Sequence, residues 1–120
     1  MPIWSGPPGW PAGAPPPGES GWQGWASHWL AEHGPLWLTR AAIEHHMSLR
    51  TQARILWWLA SAEVTALERA DEGHLRMLLA RDGVRGDQLE AIAGELSQDL
   101  DRRREVVRTL EIIGKHLPTR

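Results

Sequence analysis

The 120-residue sequence contains no cysteine, no phenylalanine and no tyrosine, and its only lysine is Lys115. Without cysteine, the chain cannot form disulfides, use a thiolate nucleophile or bind zinc or iron–sulfur clusters through sulfur. Long apolar runs are lacking too, because the uncharged run that starts at Ile55 in the centre of the chain stops at Glu63. A membrane-spanning helix needs about 20 apolar residues, so we expect none.

The overall composition is that of an ordinary water-soluble domain. Hydrophobic residues make up 42% of the chain, which is enough for one modest core, and the formal net charge is −2. A nearly neutral chain does not favour bulk electrostatic capture by nucleic acid or by an anionic membrane. No basic and then apolar N-terminal stretch typical of secretion signals occurs, so we expect a cytoplasmic protein.

All eight aromatic residues are tryptophans, and five of them lie in the first thirty residues. Indole side chains bury large areas and are frequent anchors of protein interfaces. We therefore predict five partner-binding residues: Trp4, Trp10, Trp22, Trp25 and Trp29. The alternative is that these tryptophans fold back and complete the protein's own core.

Residues 1–19 are predicted to form an extended arm. They contain seven of the nine prolines, and proline removes a backbone donor and fixes φ, which excludes helix and central strand. With glycines between the prolines, the segment favours polyproline II conformation with flexible hinges.

Residues 20–120 are predicted to form a helical domain, which makes the fold all-α. A first short helix is expected over 20–33, because Ser20 has capping-box spacing with Gln23 and Gly34-Pro35 terminates the helix.

Two long helices are predicted to follow. Residues 36–81 contain no proline, and their apolar residues recur at three- and four-residue steps, which predicts one helix with a bend near Gly73. After a turn, Asp87 is the predicted N-cap of a helix over 87–117 that Pro118 ends. We expect these helices to pack as an antiparallel hairpin.

The last predicted helix carries an apolar stripe in which leucines recur seven residues apart. Heptad spacing is typical of helix–helix packing. The stripe can lie inside the domain or serve as a seam for self-association, and the sequence leaves both open. Its members are Leu89, Ile92, Leu96, Leu100, Leu110, Ile113 and Leu117.

A helix-turn-helix DNA-binding regulator is the alternative function. Its recognition helix would cover 102–110, and its nucleic-acid contacts would be Arg102, Arg103, Arg104 and Arg108. Two features oppose this interpretation. The turn after Leu96 is two residues too long, and acidic residues lie among the arginines.

No pattern in the sequence indicates a metal site or catalysis. His28 and Glu32 would share one helix face, but the His-Glu-x-x-His signature is missing, and no serine has a nucleophile-elbow motif. We therefore expect no cofactor, no enzymatic activity and no small-molecule ligand. The predicted function is a non-enzymatic helical interaction or assembly subunit that binds a protein partner or itself through the arm and the last helix.

Overall fold

The computed structural model describes residues 10–11, 13–16, 18–70 and 72–117, and the structural statements below concern these residues. They form five helices: α1 (Ser20–His33), α2 (Leu36–Glu44), α3 (Leu49–Ala70), α4 (Glu72–Arg81) and α5 (Gly86–Lys115). No strand occurs in the described ranges, which confirms the all-α class. The hairpin and the extended arm stay predictions, and residues 1–9, with Trp4, lie outside the described part.

The helix predicted over 36–81 is interrupted, because the chain leaves helical conformation between α2 and α3. His46 has φ 50°, and the Met47 amide donates to the Ala42 carbonyl at 2.9 Å. A residue in left-handed conformation, followed by an amide that donates to a carbonyl five residues earlier, is the arrangement of a Schellman C-cap. Continuity at this point was wrongly predicted because neither glycine nor proline marks the break.

Ser48 starts the next helix immediately after the break. Its Oγ accepts a hydrogen bond from the Thr51 amide at 3.2 Å, and its carbonyl accepts one from the Gln52 amide at 3.0 Å. This is the standard role of an N-cap serine, which satisfies an amide that the first turn leaves without a partner.

A second Schellman cap lies between α4 and α5. Gly83 has φ 86°, the Gly83 amide donates to Ala80 at 3.1 Å, and the Val84 amide donates to Leu79 at 3.0 Å. Glycine adopts this left-handed conformation without steric cost. The turn that the sequence predicts at 82–86 therefore has a clear physical cause.

The chain divides into two compact units. Unit 1 comprises Met1–Trp58 with Arg108–Arg120, and unit 2 comprises Leu59–Val107. In the described part of unit 1, the buried apolar side chains are Ala14, Trp22, Ala26, Leu30, Leu38, Ala42, Ala53, Leu56, Leu110, Ile113 and Leu117. In the described part of unit 2, only Ala60 and Ala93 are buried. Unit 1 thus holds a real core, whereas the leucines and valines of unit 2 are only partly covered.

Ion pairs connect the helices of unit 2. Arg103 binds Glu63 of α3, and Arg76 of α4 binds Glu90 of α5 with an Nη2–Oε2 distance of 2.9 Å. These side chains are partly exposed, so solvent screens each pair and its contribution to stability is small.

Candidate docking groove

Of the tryptophans predicted to bind a partner, Trp22 lies in the core of unit 1. Trp22 is 2% exposed. Its indole lies 5.1 Å from that of Trp10 and 5.4 Å from that of Trp25, measured between ring centroids. The contact with Trp10 brings the described end of the arm onto α1. This is the fold-back alternative that the sequence left open.

A hydrogen bond to a residue distant in the sequence also fixes the Trp22 indole. Its Nε1 donates to the His116 carbonyl at 3.1 Å, and the imidazole of His116 packs edge-on against Trp10 at 5.2 Å. In this arrangement Trp22 is covered by its own chain, and its contact with a partner stays a prediction. Trp25 and Trp29 are half-buried, and their contact with a partner stays a prediction.

The exposed tryptophans lie elsewhere, on α2 and α3. Trp37, Trp57 and Trp58 are 56%, 41% and 65% exposed. Trp57 and Trp58 are adjacent on α3, and neighbouring side chains on a helix are about 100° apart, so one side of the helix cannot bury both. This adjacency is the signal that sequence reasoning missed.

Trp57 and Trp58 line a groove of about 680 Å³ that lies entirely in unit 1. One wall is a face of α3 and the other is a face of α5, where lining residues recur at three- and four-residue steps. The groove residues are Arg50, Ala53, Arg54, Ile55, Trp57, Trp58, Leu110, Glu111, Gly114 and Lys115. The lining combines apolar side chains with four charged ones, which are Arg50, Arg54, Glu111 and Lys115.

On the α5 side of the groove, a hydrogen bond fixes Trp57 and a glycine leaves space unfilled. Trp57 Nε1 donates to Glu111 Oε1 at 3.2 Å, which fixes the indole against the α5 face. At Gly114, a Cβ atom would meet no neighbouring atom within 4 Å. The groove therefore has free space beside Gly114.

The heptad stripe of α5 divides between two environments. Leu110, Ile113 and Leu117 are buried in unit 1, which is the packing role that the sequence allowed. The remaining members belong to unit 2: Leu89, Leu96 and Leu100 are half-buried, and Ile92 is 37% exposed. Only the members of the stripe in unit 2 leave apolar surface for another chain.

The helix-turn-helix prediction does not agree with the structure. Helix α5 runs without interruption from Gly86 to Lys115, so the turn before the predicted recognition helix is missing. The arginines also have acidic neighbours. Arg104 binds Glu68 at 3.0 Å, and Arg102 lies 3.6 Å from Asp99. Arg108 is exposed, and contact of these residues with nucleic acid stays untested.

Two ion pairs of unit 2 change the acidity of their carboxylates. The hydrogen bond from Arg103 holds the pKa of Asp99 below its ordinary value of 3.8. In the same way, the hydrogen bond from Arg76 lowers the pKa of Glu90. Both carboxylates therefore stay ionised near neutral pH and offset the positive charge that phosphate would need.

The histidines do not assemble a metal site in the described ranges. His28 Nε2 lies 2.9 Å from Glu32 Oε1 on the exposed side of α1, and His33 stacks on Trp29. No group of three or more histidine and acidic side chains that could hold a metal ion is found among the described residues. Within the same residues, no helix is long and apolar enough to cross a membrane.

Comparison of the chain with models of protein families, with curated protein sequences and with solved structures gives no match. The function is therefore argued from the groove itself.

Proposed function

We propose that this chain is a non-enzymatic helical interaction protein, a subunit that docks a protein partner through the groove formed by α3 and α5. One observation carries the proposal. Trp57 and Trp58 stand at 41% and 65% exposure in an apolar groove, although the same domain buries Trp22 almost completely. Exposed apolar patches of this kind, bordered by polar groups, are typical of interaction surfaces.

The free energy gained by covering these exposed tryptophans supports a protein interface. A tryptophan side chain offers roughly 200 Å² of surface, so covering the exposed part of Trp58 removes on the order of 130 Å² from water. At about 25 cal/mol per Å² this is a gross gain of roughly 3 kcal/mol, before the costs of association. Two such side chains in one groove give the energy of an interface hot spot.

Self-association through unit 2 is the second candidate, and a separate observation favours it. Helix α4 has no buried residue, and its Met77 and Leu78 are 50% and 43% exposed. Together with Ile92 and the half-buried leucines of α5, they leave apolar surface that a second copy of the chain would cover. This candidate keeps the role that the sequence suggested for the heptad stripe.

A photo-crosslinker at position 58 tests the main proposal. We would replace Trp58 with p-benzoylphenylalanine, irradiate cells of the source organism that make the full chain, and identify adducts by mass spectrometry. The matched control carries the same crosslinker at position 37, another exposed tryptophan that does not line the groove. We expect one recurrent protein adduct at position 58 and not at position 37. Irradiation that gives no protein adduct at position 58 would contradict the proposal.

A further inference from the structure

The basic side chains that line the groove differ from the ion-paired arginines of unit 2. In unit 2, Arg76, Arg103 and Arg104 each bind carboxylates of neighbouring helices. Arg50, Arg54 and Lys115 line the groove. No carboxylate of the described residues pairs with any of these three.

The single acidic residue of the groove does not balance this charge. Glu111 accepts a hydrogen bond from the Trp57 indole, so one of its oxygens is already engaged. Three cations and one carboxylate give the groove a formal charge of +2, on a chain whose formal net charge is −2. The groove is therefore a local positive site on a slightly negative protein.

The length of the groove's α3 wall matches a short docked helix. At 1.5 Å of rise per residue, the lining stretch from Arg50 to Trp58 is about 12 Å long, or about two helical turns. An amphipathic helix laid against this wall presents apolar residues at three- and four-residue steps to the apolar lining. Its polar flank then faces the basic side chains of the groove.

We infer that the groove takes an acidic amphipathic helix of a partner protein, with apolar residues against Trp57 and Trp58 and carboxylates toward Arg50, Arg54 and Lys115. This inference rests on the proposed function and names the chemistry of the partner. Arg50 and Arg54 are four residues apart on one face of α3, so acidic residues four apart on the ligand helix can meet both.

A peptide selection tests this chemistry without knowledge of the natural partner. Random peptides of about 14 residues would be selected by display on the full-length protein, with counter-selection on the Trp57→Ala/Trp58→Ala variant. We expect the recovered peptides to carry apolar residues at helical spacing flanked by Asp and Glu. Recovered peptides rich in Lys and Arg, or with no helical spacing, would overturn the inference.

Binding of one recovered peptide is then measured by fluorescence anisotropy on matched variants. Arg54→Glu should weaken binding at least about tenfold, whereas Arg40→Glu, an exposed arginine outside the groove, should leave it unchanged. Raising salt from about 50 to about 500 mM should also weaken it, because partly exposed charges are screened. Equal affinity for Arg54→Glu and the unmodified protein would contradict the inference.

Glycine variants test the position of the ligand separately from its charge. Gly114→Leu fills the free space of the groove, and Gly94→Leu places the same side chain in unit 2; a Cβ meets no neighbouring atom within 4 Å at either site. Both changes favour helix, so neither should unfold the protein. Only Gly114→Leu should reduce peptide binding, by about tenfold or more. Equal loss in both variants would mean that the peptide does not lie in the groove.

Two outcomes separate this inference from the proposed function. A protein adduct at position 58 together with selected peptides that lack acidic residues would retain the docking function and overturn the partner chemistry. No adduct and no recovered peptide would overturn both. Binding to phosphatidylserine vesicles that Arg54→Glu abolishes, without any recovered acidic peptide, would overturn the inference in favour of a membrane surface.

Discussion

At the scale of the residue, tryptophan has two opposite roles in this protein. Trp22 is buried, packs against two other indoles and donates a hydrogen bond to the His116 carbonyl, whereas Trp58 on α3 is mostly exposed. The residue type alone predicts a large contact area but not which surface provides it. That choice depends on which helix faces meet, and local sequence carries no direct signal for it.

The buried indole should therefore matter for stability and an exposed one should not. Trp22→Ala removes a core side chain and leaves a cavity, so we expect the free energy of unfolding to fall by about 3–5 kcal/mol. Trp37→Ala, at a side chain that is 56% exposed, should change it by less than about 1 kcal/mol. Urea unfolding followed by circular dichroism measures both. A similar loss in the two variants would refute the assignment of Trp22 to the core.

His46 has a backbone conformation that costs free energy in the folded state. His46 has φ 50°, and the preceding His45 has φ −107°. Since only glycine adopts left-handed conformation freely, His46→Gly should stabilise the protein by about 0.5–1 kcal/mol. His45→Gly should destabilise it, because glycine there only adds chain entropy to the unfolded state. Opposite signs in thermal unfolding are expected, and stabilisation by both changes would contradict the cap geometry.

At the scale of the element, the sequence predicts the helical class well and one helix boundary poorly. Helix α1 covers the residues expected for the first helix, and Gly83 marks the turn before α5. The break after Glu44 escapes prediction, because Schellman geometry at His46 needs no glycine and apolar periodicity continues through it. Ser48, followed by Thr51 at N-cap spacing, was the available signal.

The groove was harder to predict from the sequence than the helices were. The adjacent Trp57 and Trp58 indicate that one indole is exposed, but pairing with Leu110 and Gly114 depends on how α3 packs beside α5 in unit 1. The register of two helices distant in sequence follows from the complete set of side-chain contacts. Because tryptophans cluster near the N-terminus, the sequence pointed to those residues as the binding site. The structure buries Trp22 in the core of unit 1 and half-buries Trp10, Trp25 and Trp29.

The ion pairs of unit 2 make a pH-dependent contribution. The pKa of Asp99 is lowered in the folded state by Arg103, so the pair stabilises the protein above about pH 4 and the stabilisation is lost as the pH falls through the lower folded-state pKa. Asp99→Asn should therefore destabilise the protein at about pH 7, and the difference from the unmodified protein should shrink as the pH falls through the lowered pKa of Asp99.

The control for this prediction is Glu95→Gln, at an exposed residue of α5 with no ion pair to another described residue. It should show no comparable pH-dependent gap in urea unfolding. A gap between Asp99→Asn and the unmodified protein that does not shrink as the pH falls below about 4 would contradict the role of the Asp99–Arg103 pair.

At the scale of the whole molecule, the two units differ in how much apolar surface they bury. Unit 1 has a tryptophan-centred core and a basic groove, whereas the described side chains of unit 2 that are fully buried are two alanines. Partly covered leucines in unit 2 are the basis for the proposed self-association. Light scattering over about 5–500 µM should then show a mass that rises with concentration, and Met77→Glu/Ile92→Glu should hold the chain monomeric. A constant monomer mass would reject self-association and leave the groove proposal standing.

The most direct test of the groove is whether Trp57 and Trp58 are covered in the cell of origin. Hydroxyl-radical footprinting would compare the purified protein with the protein in cells, and trypsin cleavage at Arg54 and Arg69 yields a peptide in which these are the only tryptophans. We predict that oxidation of this peptide falls at least about threefold in cells, while Trp37 is oxidised equally in both samples. Equal oxidation of Trp57 and Trp58 in cells and in the purified protein would contradict a docking function for the groove.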